Sequence, residues 1–302
     1  MRSAQAKEAH KETPLTEVLR MPCSIYRKIR SMDLPANSGP ARTKAIFEAI
    51  CDGHFEVEWA EITSTFNGHT ATFYVFADAL KIDGVRVNVS AELEQRIADR
   101  LGCMLLTPKL ADLIYEQAER TGIILLPHVI SEWRGANAPC STLTADMLTH
   151  SAKIDEDLVG KDVFGKVIAT LGKHWVLDND LQVHPGRAMN YGWYLPGTET
   201  HWKGIPLEIW ATLAKVSGLY RRIIQGKGTQ HGLGQDDYSQ ICVLASFYCL
   251  VDGQASDLRT VLQDPQLAGL ANHGGVLHML RQPGVPEEPA GTIIMPEIRI
   301  TA

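Results

Sequence analysis

The chain has 302 residues, of which 45% are hydrophobic and 21% are charged, and it carries a formal net charge of −6. This composition is typical of a folded protein with a sizeable core, and the acidic balance disfavours nucleic-acid binding. No apolar run reaches the roughly 18 residues that span a bilayer, and no apolar leader opens the chain. We therefore expect a soluble, cytoplasmic protein that contacts neither nucleic acid nor membrane.

Residues 1–40 are predicted to be a polar tail and linker, because they end in a cluster of proline, asparagine and glycine. Residues 41–126 are predicted to form a smaller N-terminal lobe of helices and a β-meander. Helical periodicity and capping residues predict three helices, at 41–52, 90–101 and 107–122. Between the first two helices, Asn67-Gly68 is a strong hairpin signal that lies between alternating strands.

Residues 127–148 are predicted to be an irregular connection, and residues 149–302 a C-terminal, β-rich lobe that carries the site. Apolar and β-branched runs predict strands at 163–170, 174–177, 189–194, 220–225 and 240–252. Three further elements are expected: a helix from about 206, a helix over 257–270 broken at Pro265, and a last strand over 293–300. These elements predict an α+β fold, with a mixed, largely antiparallel sheet lobe beside the smaller N-terminal lobe.

The stretch from Gly226 to Ser239 holds four glycines in nine residues, followed by acidic and hydroxyl side chains. Glycine lets a ligand approach the main chain closely, so the stretch is predicted to be a loop that carries a site. His231 titrates near neutral pH and is the candidate general base, and Asp237 is the carboxylate that orients it. Strand periodicity places Ser239 on the same face as Asp237, as a nucleophile or a substrate-binding hydroxyl. The alternative is a hairpin loop with surface carboxylates and an outward-packed Tyr238.

Aromatic side chains around a central glycine mark one predicted strand of the second lobe. Asn190, Tyr191 and Trp193 are candidates for the floor of a cleft, since glycine inside a strand often marks close approach by a ligand. A core strand with a bulge is the alternative. Tyr238 and Lys173 complete the predicted substrate-binding set, with Lys173 as an electrostatic partner for an anionic group.

No metal site is predicted from this sequence. His174 with Asp178, and His150 with Asp157, have spacings that a metal site uses, but a plain turn and a charged helix end explain them as well. The six cysteines form no CxxC pair and are expected to be reduced, buried thiols. The HExxH, GxSxG, Walker A and dinucleotide-binding motifs are absent, which leaves the cofactor unknown.

The order Tyr191-Gly192-Trp193, then His231, then Asp237-Tyr238-Ser239 resembles a family of bacterial and phage-associated proteins that has no established activity. The resemblance covers most of the chain and implies that these residues form the site, and it adds a phage-borne origin as an alternative. In that family a histidine is expected directly after the Tyr-Gly-Trp motif and directly after the Asp-Tyr-Ser motif. Here the two positions are Tyr194 and Gln240, which puts the activity of this member in doubt.

These features predict a hydrolase that acts on a polymer such as cell-wall peptidoglycan or a polysaccharide, at a site centred on His231 and Asp237. The alternative, from another class, is a non-enzymatic binding or virion-structural protein of a phage or bacterium. In that case the same aromatic residues form a recognition surface. The expected partner is a polymeric or small-molecule ligand, and the oligomeric state is left open. Geometry separates the two predictions, because acid–base catalysis needs side chains within about 3 Å of the reacting group.

Overall fold

The computed structural model describes residues 34–130, 141–197, 201–202, 205–206, 223–291 and 293–296, which belong to one compact unit. The helices are α1 (Pro40–Cys51), α2 (Ala91–Leu101), α3 (Pro108–Arg120), α4 (Thr144–Leu158) and α5 (Leu258–Gln263), with 3₁₀ segments at Asn179–Val183 and Ala268–Leu270. The first seven strands are β1 (Trp59–Phe66), β2 (His69–Phe76), β3 (Lys81–Ile82), β4 (Val85–Arg86), β5 (Cys103–Leu105), β6 (Ile123–Ile124) and β7 (Ile168–Ala169). The others are β8 (Lys173–Val176), β9 (Arg187–Tyr194), β10 (His201–Trp202), β11 (Ile205–Pro206), β12 (Ile223–Gly232), β13 (Leu244–Val251) and β14 (Gln254–Asp257).

Local signals in the N-terminal segment predicted its elements correctly. β1 and β2 pair along their whole length, and the two residues between them, Asn67 and Gly68, have positive φ angles of 49° and 82°. This is the geometry of a type I′ turn. Ser90 caps α2 by accepting a hydrogen bond from the Leu93 amide, and Thr107 caps α3 in the same way. The predicted hairpin and both helices are confirmed.

The largest sheet joins distant parts of the chain. Its strand order is β1–β2–β13–β14, and β5 also pairs with β13. The two segments that were predicted as separate lobes therefore share this sheet. β1 is an outer strand, and within the described ranges no strand pairs with its second edge. The residues that point from β1 and β2 into the core include Ile62, Phe73 and Val75, which are completely buried.

The second sheet has the order β12–β9–β8 and carries Lys173, Asn190, Tyr191, Trp193 and His231. Asp237, Tyr238 and Ser239 follow β12 outside any strand, so the strand periodicity expected for them is wrong. The predicted glycine-rich loop is wrong in its first half, because β12 continues as a strand to Gly232 and pairs with β9 through two register shifts. At least one of its glycines has a steric role inside this strand, since a Cβ atom on Gly228 would lie 2.6 Å from Oδ1 of Asn190 on β9. At this position glycine makes room for a neighbouring side chain of the protein itself.

Several other predicted boundaries change. Helix α4 begins inside the predicted connection at 127–148, and the predicted strand at 163–170 is reduced to β7, which pairs in parallel with β6. Helix α5 ends at Gln263, which agrees with the predicted break at Pro265, but only the 3₁₀ segment at Ala268–Leu270 follows it. Residues 293–296 have no regular structure. The rest of that predicted strand, and the predicted helix that precedes β12, lie outside the described residues.

The predicted α+β class with largely antiparallel sheets is confirmed. The completely buried Trp175 ties the second sheet to the segment before α2, because its indole nitrogen donates to the Val89 carbonyl at 2.8 Å. Across the parts of the chain that the structure describes, no helix is long and apolar enough to cross a membrane.

Candidate functional site

A buried ion pair forms the centre of the predicted site. Nζ of Lys173 on β8 lies 2.6 Å from Oδ2 of Asp237, and both side chains are 8% exposed. The other carboxylate oxygen of Asp237 accepts hydrogen bonds from the Ser239 hydroxyl at 2.6 Å and the Ser239 amide at 2.8 Å. Burial by itself raises the pKa of Asp237, but Lys173 and Ser239 together lower it below its ordinary value. Asp237 is therefore a charged group with a full set of internal partners.

His231 on β12 is linked to Asn190 beside this ion pair. The Asn190 amide nitrogen donates to Nε2 of His231 at 2.9 Å, and the Trp175 ring meets the imidazole edge-on, with 5.5 Å between the ring centroids. Burial lowers the pKa of His231, Lys173 lowers it further, and Asp237 acts in the opposite direction. The imidazole is thus neutral near pH 7, and its Nε2 is occupied as an acceptor. We name this group the lysine cluster; its members are Lys173, Asn190, His231, Asp237 and Ser239.

The rings of Tyr238 and Trp193 both lie close to the ring of His150, near the lysine cluster. The centroid of the His150 ring is 5.4 Å from that of Tyr238 and 6.5 Å from that of Trp193. The Tyr238 hydroxyl accepts a hydrogen bond from the Ile130 amide, and the Trp193 indole donates to the Thr170 carbonyl, each at 3.2 Å. Both rings were predicted to bind substrate, and both are buried in contacts within the protein.

The backbone of β9 is irregular between Tyr191 and Tyr194. Gly192 and Trp193 have positive φ angles of 95° and 64°, a conformation that is rare for a bulky residue such as tryptophan. In a regular strand, side chains three positions apart point to opposite faces. Here both tyrosine hydroxyls reach the same carboxylate, that of Asp112 on α3. Tyr191 was predicted to line the histidine site, but it belongs to this other group.

Asp112 accepts hydrogen bonds from three side chains although its own side chain is only 2% exposed. Its Oδ1 lies 2.7 Å from the Tyr194 hydroxyl and 3.0 Å from the Tyr191 hydroxyl, and its Oδ2 lies 2.7 Å from Nε2 of His273. A carboxylate at this nitrogen makes Nε2 the donor and leaves Nδ1 as the acceptor. The side chain of His273 is 46% exposed, so the oriented imidazole also reaches solvent. We name Asp112, Tyr191, Tyr194 and His273 the aspartate cluster.

Asp112 and His273 line a pocket of about 420 Å³. The other lining residues are Thr63, Ser64 and Thr65 of β1, and Lys109, Leu113, Glu116 and Arg120 of α3. This volume is within the range of small-molecule sites, which runs from about 300 to 1,000 Å³. Hydroxyl, amine, guanidinium, carboxylate and imidazole groups therefore surround a space that fits a small ligand or one unit of a polymer.

Two side chains at the start of α3 hold the segment that carries His273. The Thr107 hydroxyl donates to the carbonyl of Ala271, and the Lys109 amine donates to the carbonyl of Gly269. Burial lowers the pKa of Lys109. Because both bonds run from one helix end to the backbone just before His273, they fix the imidazole relative to Asp112 on the same helix.

Asp112 and His273 were missed in the sequence as functional residues, although each had a signal. Asp112 lies on α3, and most of its neighbours on this helix are buried. A carboxylate in such surroundings destabilises the fold unless it is paired. His273 follows Asn272 and precedes two glycines, a composition typical of loops that carry function. The two residues are 161 positions apart, so neither signal pointed to the other.

In the structure, the aspartate of each pair whose spacing suggested metal ligands has a different partner. Asp178 pairs with Lys227 at 2.5 Å, and Asp157 pairs with His128 at 2.8 Å. Among the residues that the structure describes, no group of three or more histidine, cysteine, aspartate or glutamate side chains could hold a metal ion.

Comparison of the chain with models of protein families, with curated proteins and with solved structures gave no match. The resemblance based on the Tyr-Gly-Trp, histidine and Asp-Tyr-Ser segments therefore stays a prediction. A function is therefore inferred from the geometry of the lysine and aspartate clusters.

Proposed function

We propose that the protein is a hydrolase whose acid–base pair is Asp112 and His273. The observation that carries the proposal is the 2.7 Å contact between a buried carboxylate and a half-exposed imidazole on the wall of a polar pocket. A carboxylate that orients a histidine is a recurring way to prepare an imidazole as a general base. In the lysine cluster, by contrast, Nε2 of His231 already accepts a hydrogen bond from Asn190.

The proposed reaction uses water as the nucleophile. Nδ1 of His273 takes a proton from a water molecule as the water oxygen attacks the substrate, while Asp112 holds the Nε2 proton. The proton then passes from Nδ1 to the leaving group, so the histidine returns to its starting state. Lys109 and Arg120 on the pocket wall supply positive charge near an oxyanion that develops in the transition state.

We extend the proposal to polymeric substrates such as cell-wall peptidoglycan or a polysaccharide. The pocket lining supports this choice, because Leu113 is its one aliphatic side chain and the remaining side chains carry hydroxyl, imidazole or charged groups. Such a lining suits a substrate rich in hydroxyl and amide groups better than an apolar ligand.

The test is turnover by the wild type and by His273→Ala. Purified protein is incubated with peptidoglycan and with polysaccharides, and the release of reducing ends and of amino groups is measured. Loss of the general base is expected to lower kcat/KM about 10²- to 10⁴-fold. His278→Ala is the matched control, because His278 is exposed in the same segment but does not line the pocket.

His231→Ala decides between the two clusters. If His231→Ala abolishes turnover and His273→Ala does not, the reaction belongs to the lysine cluster and our assignment is wrong. If the wild type binds these polymers and releases no product, the binding or virion-structural alternative replaces the hydrolase.

A further inference from the structure

The pocket lies against β1, the outer strand of its sheet. Three consecutive residues of this strand, Thr63, Ser64 and Thr65, line it. Ser64 is buried while Thr63 and Thr65 are exposed, as expected when neighbouring side chains point to opposite faces of a strand. A pocket that touches both faces of an outer strand also meets the backbone along its edge.

The register of the hairpin shows which peptide groups point to that edge. The Thr70 amide of β2 donates to the Asp252 side chain, and the Thr70 carbonyl accepts from the Asp252 amide, so both groups of Thr70 face away from β1. In an antiparallel ladder, directly opposed residues either bond to each other or both point outward. Thr65 opposes Thr70, so its N–H and C=O point to the open edge, as do those of Thr63. The peptide groups of Ser64 bond to β2.

Outward N–H and C=O groups two residues apart repeat about every 7 Å along a strand. An extended polypeptide presents the same groups at the same spacing, and it can add to an open edge as a further strand. A glycan carries no such regular ladder of donors and acceptors. The outward N–H and C=O groups on the pocket wall can therefore pair with the peptide part of a polymer and not with its sugar part.

We infer that the pocket takes an extended peptide segment, which pairs with Thr63 and Thr65 and presents an amide bond to His273. The inference rests on the proposed hydrolase and names its substrate class. In the cleavage, the water oxygen bonds to the amide carbon and the C–N bond breaks. His273 delivers the proton to the leaving nitrogen, and the products are a carboxylic acid and an amine, which become a carboxylate and an ammonium group at neutral pH.

The first experiment is a titration of ¹⁵N-labelled protein with the capped peptide Ac-(Ser-Ala)₃-NH₂, followed by NMR. The amide signals of Thr63 and Thr65 are expected to shift most, because their N–H groups gain a partner. The amide of Ser64 is an internal control, since it is already bonded to β2. A peptide with N-methyl groups on alternate amides should bind at least tenfold more weakly. Equal binding of the methylated and unmethylated peptides would overturn the inference.

The second experiment removes one outward N–H by Thr65→Pro. Proline is tolerated on an edge strand where the lost N–H had no partner in the ladder. Peptide affinity is expected to fall at least tenfold, while Glu61→Pro, on the same edge but outside the pocket, retains it. The ¹⁵N spectra of both variants report whether they fold.

The NMR titration measures peptide binding independently of turnover, so the peptide inference and the hydrolase proposal can fail separately. Lack of shifts at Thr63 and Thr65, combined with an inactive His273→Ala, overturns the peptide inference and keeps the hydrolase. Peptide binding to the edge, combined with undiminished turnover by His273→Ala, overturns the hydrolase assignment alone.

Discussion

The lysine cluster and the aspartate cluster both draw on β9, yet their polar groups are arranged differently. In the first, Lys173 and Asp237 neutralise each other, and His231 accepts a hydrogen bond from Asn190. In the second, a buried carboxylate orients a histidine that is half exposed on a pocket wall. The comparison teaches that acid, base and hydroxyl side chains in one place are insufficient evidence for a site. At least one of these side chains must also present a donor or acceptor atom to open space, where a ligand can reach it.

The largest effect that separates the clusters is expected from Lys173→Met. This substitution leaves the charge of Asp237 buried without its partner, and breaking a buried ion pair costs about 3–5 kcal/mol. The free energy of unfolding, measured by urea denaturation, should fall by that amount. The matched control is the double variant Lys173→Met with Asp237→Leu, which removes both charges and should recover much of the loss. Unchanged stability in Lys173→Met would mean that this ion pair does not stabilise the fold.

Lowering the pH from 7 to 5 is expected to destabilise the fold through two buried histidines. Burial lowers the pKa of His150 and of His174 to about 4, below the value of about 6.5 for an unfolded histidine. The unfolded chain then binds protons that the folded chain does not, so stability is complete above pH 6.5 and falls as the pH drops towards 4. Each histidine should cost about 2 kcal/mol at pH 5.

Urea unfolding of the wild type and of His150→Phe at both pH values tests this prediction. Phenylalanine keeps an aromatic ring close to Tyr238 and Trp193 but cannot be protonated. The variant should lose about 2 kcal/mol less than the wild type between pH 7 and pH 5. An equal loss in both proteins would assign the acid sensitivity to other groups.

A smaller effect is expected from Tyr194→Phe in the aspartate cluster. The substitution removes one of the donors to Asp112, and hydrogen bonds to a charged group are worth about 1.5–3 kcal/mol. Because Asp112 orients His273, kcat/KM should fall together with the free energy of unfolding. Tyr115→Phe is the matched control, since the Tyr115 ring stacks on Tyr194 but its hydroxyl donates to the Leu195 carbonyl. Equal kinetic losses in the two variants would show that the hydroxyl of Tyr194 has no special part in turnover.

The elements that were predictable from sequence are those decided by a few neighbouring residues. Asn67 and Gly68 adopt the positive φ angles that a two-residue hairpin turn needs, and Ser90 and Thr107 cap helices through their own side chains. In each case the physical cause lies within three or four positions of the effect. Periodicity and capping rules are therefore sufficient for these elements.

The candidate site was only half predictable for the opposite reason. Asn190 and Lys173 were singled out in the sequence, and both lie beside the predicted histidine and aspartate. The glycine-rich segment is a strand because it pairs with β9, and Gly228 is glycine where the Asn190 side chain of β9 lies against it. The pairing of Asp112 with His273 depends on how α3 packs against the segment after α5. Neither contact leaves a local pattern, because the partners are far apart along the chain.

The two hydrogen bonds from the start of α3, by Thr107 and Lys109, have a consequence for ligand affinity. A short segment next to glycines would ordinarily lose much conformational entropy on meeting a ligand. Here that ordering takes place during folding, because the backbone before His273 is already tied to a helix. A molecule that enters the pocket meets an imidazole already in position, so more of its interaction free energy remains as affinity.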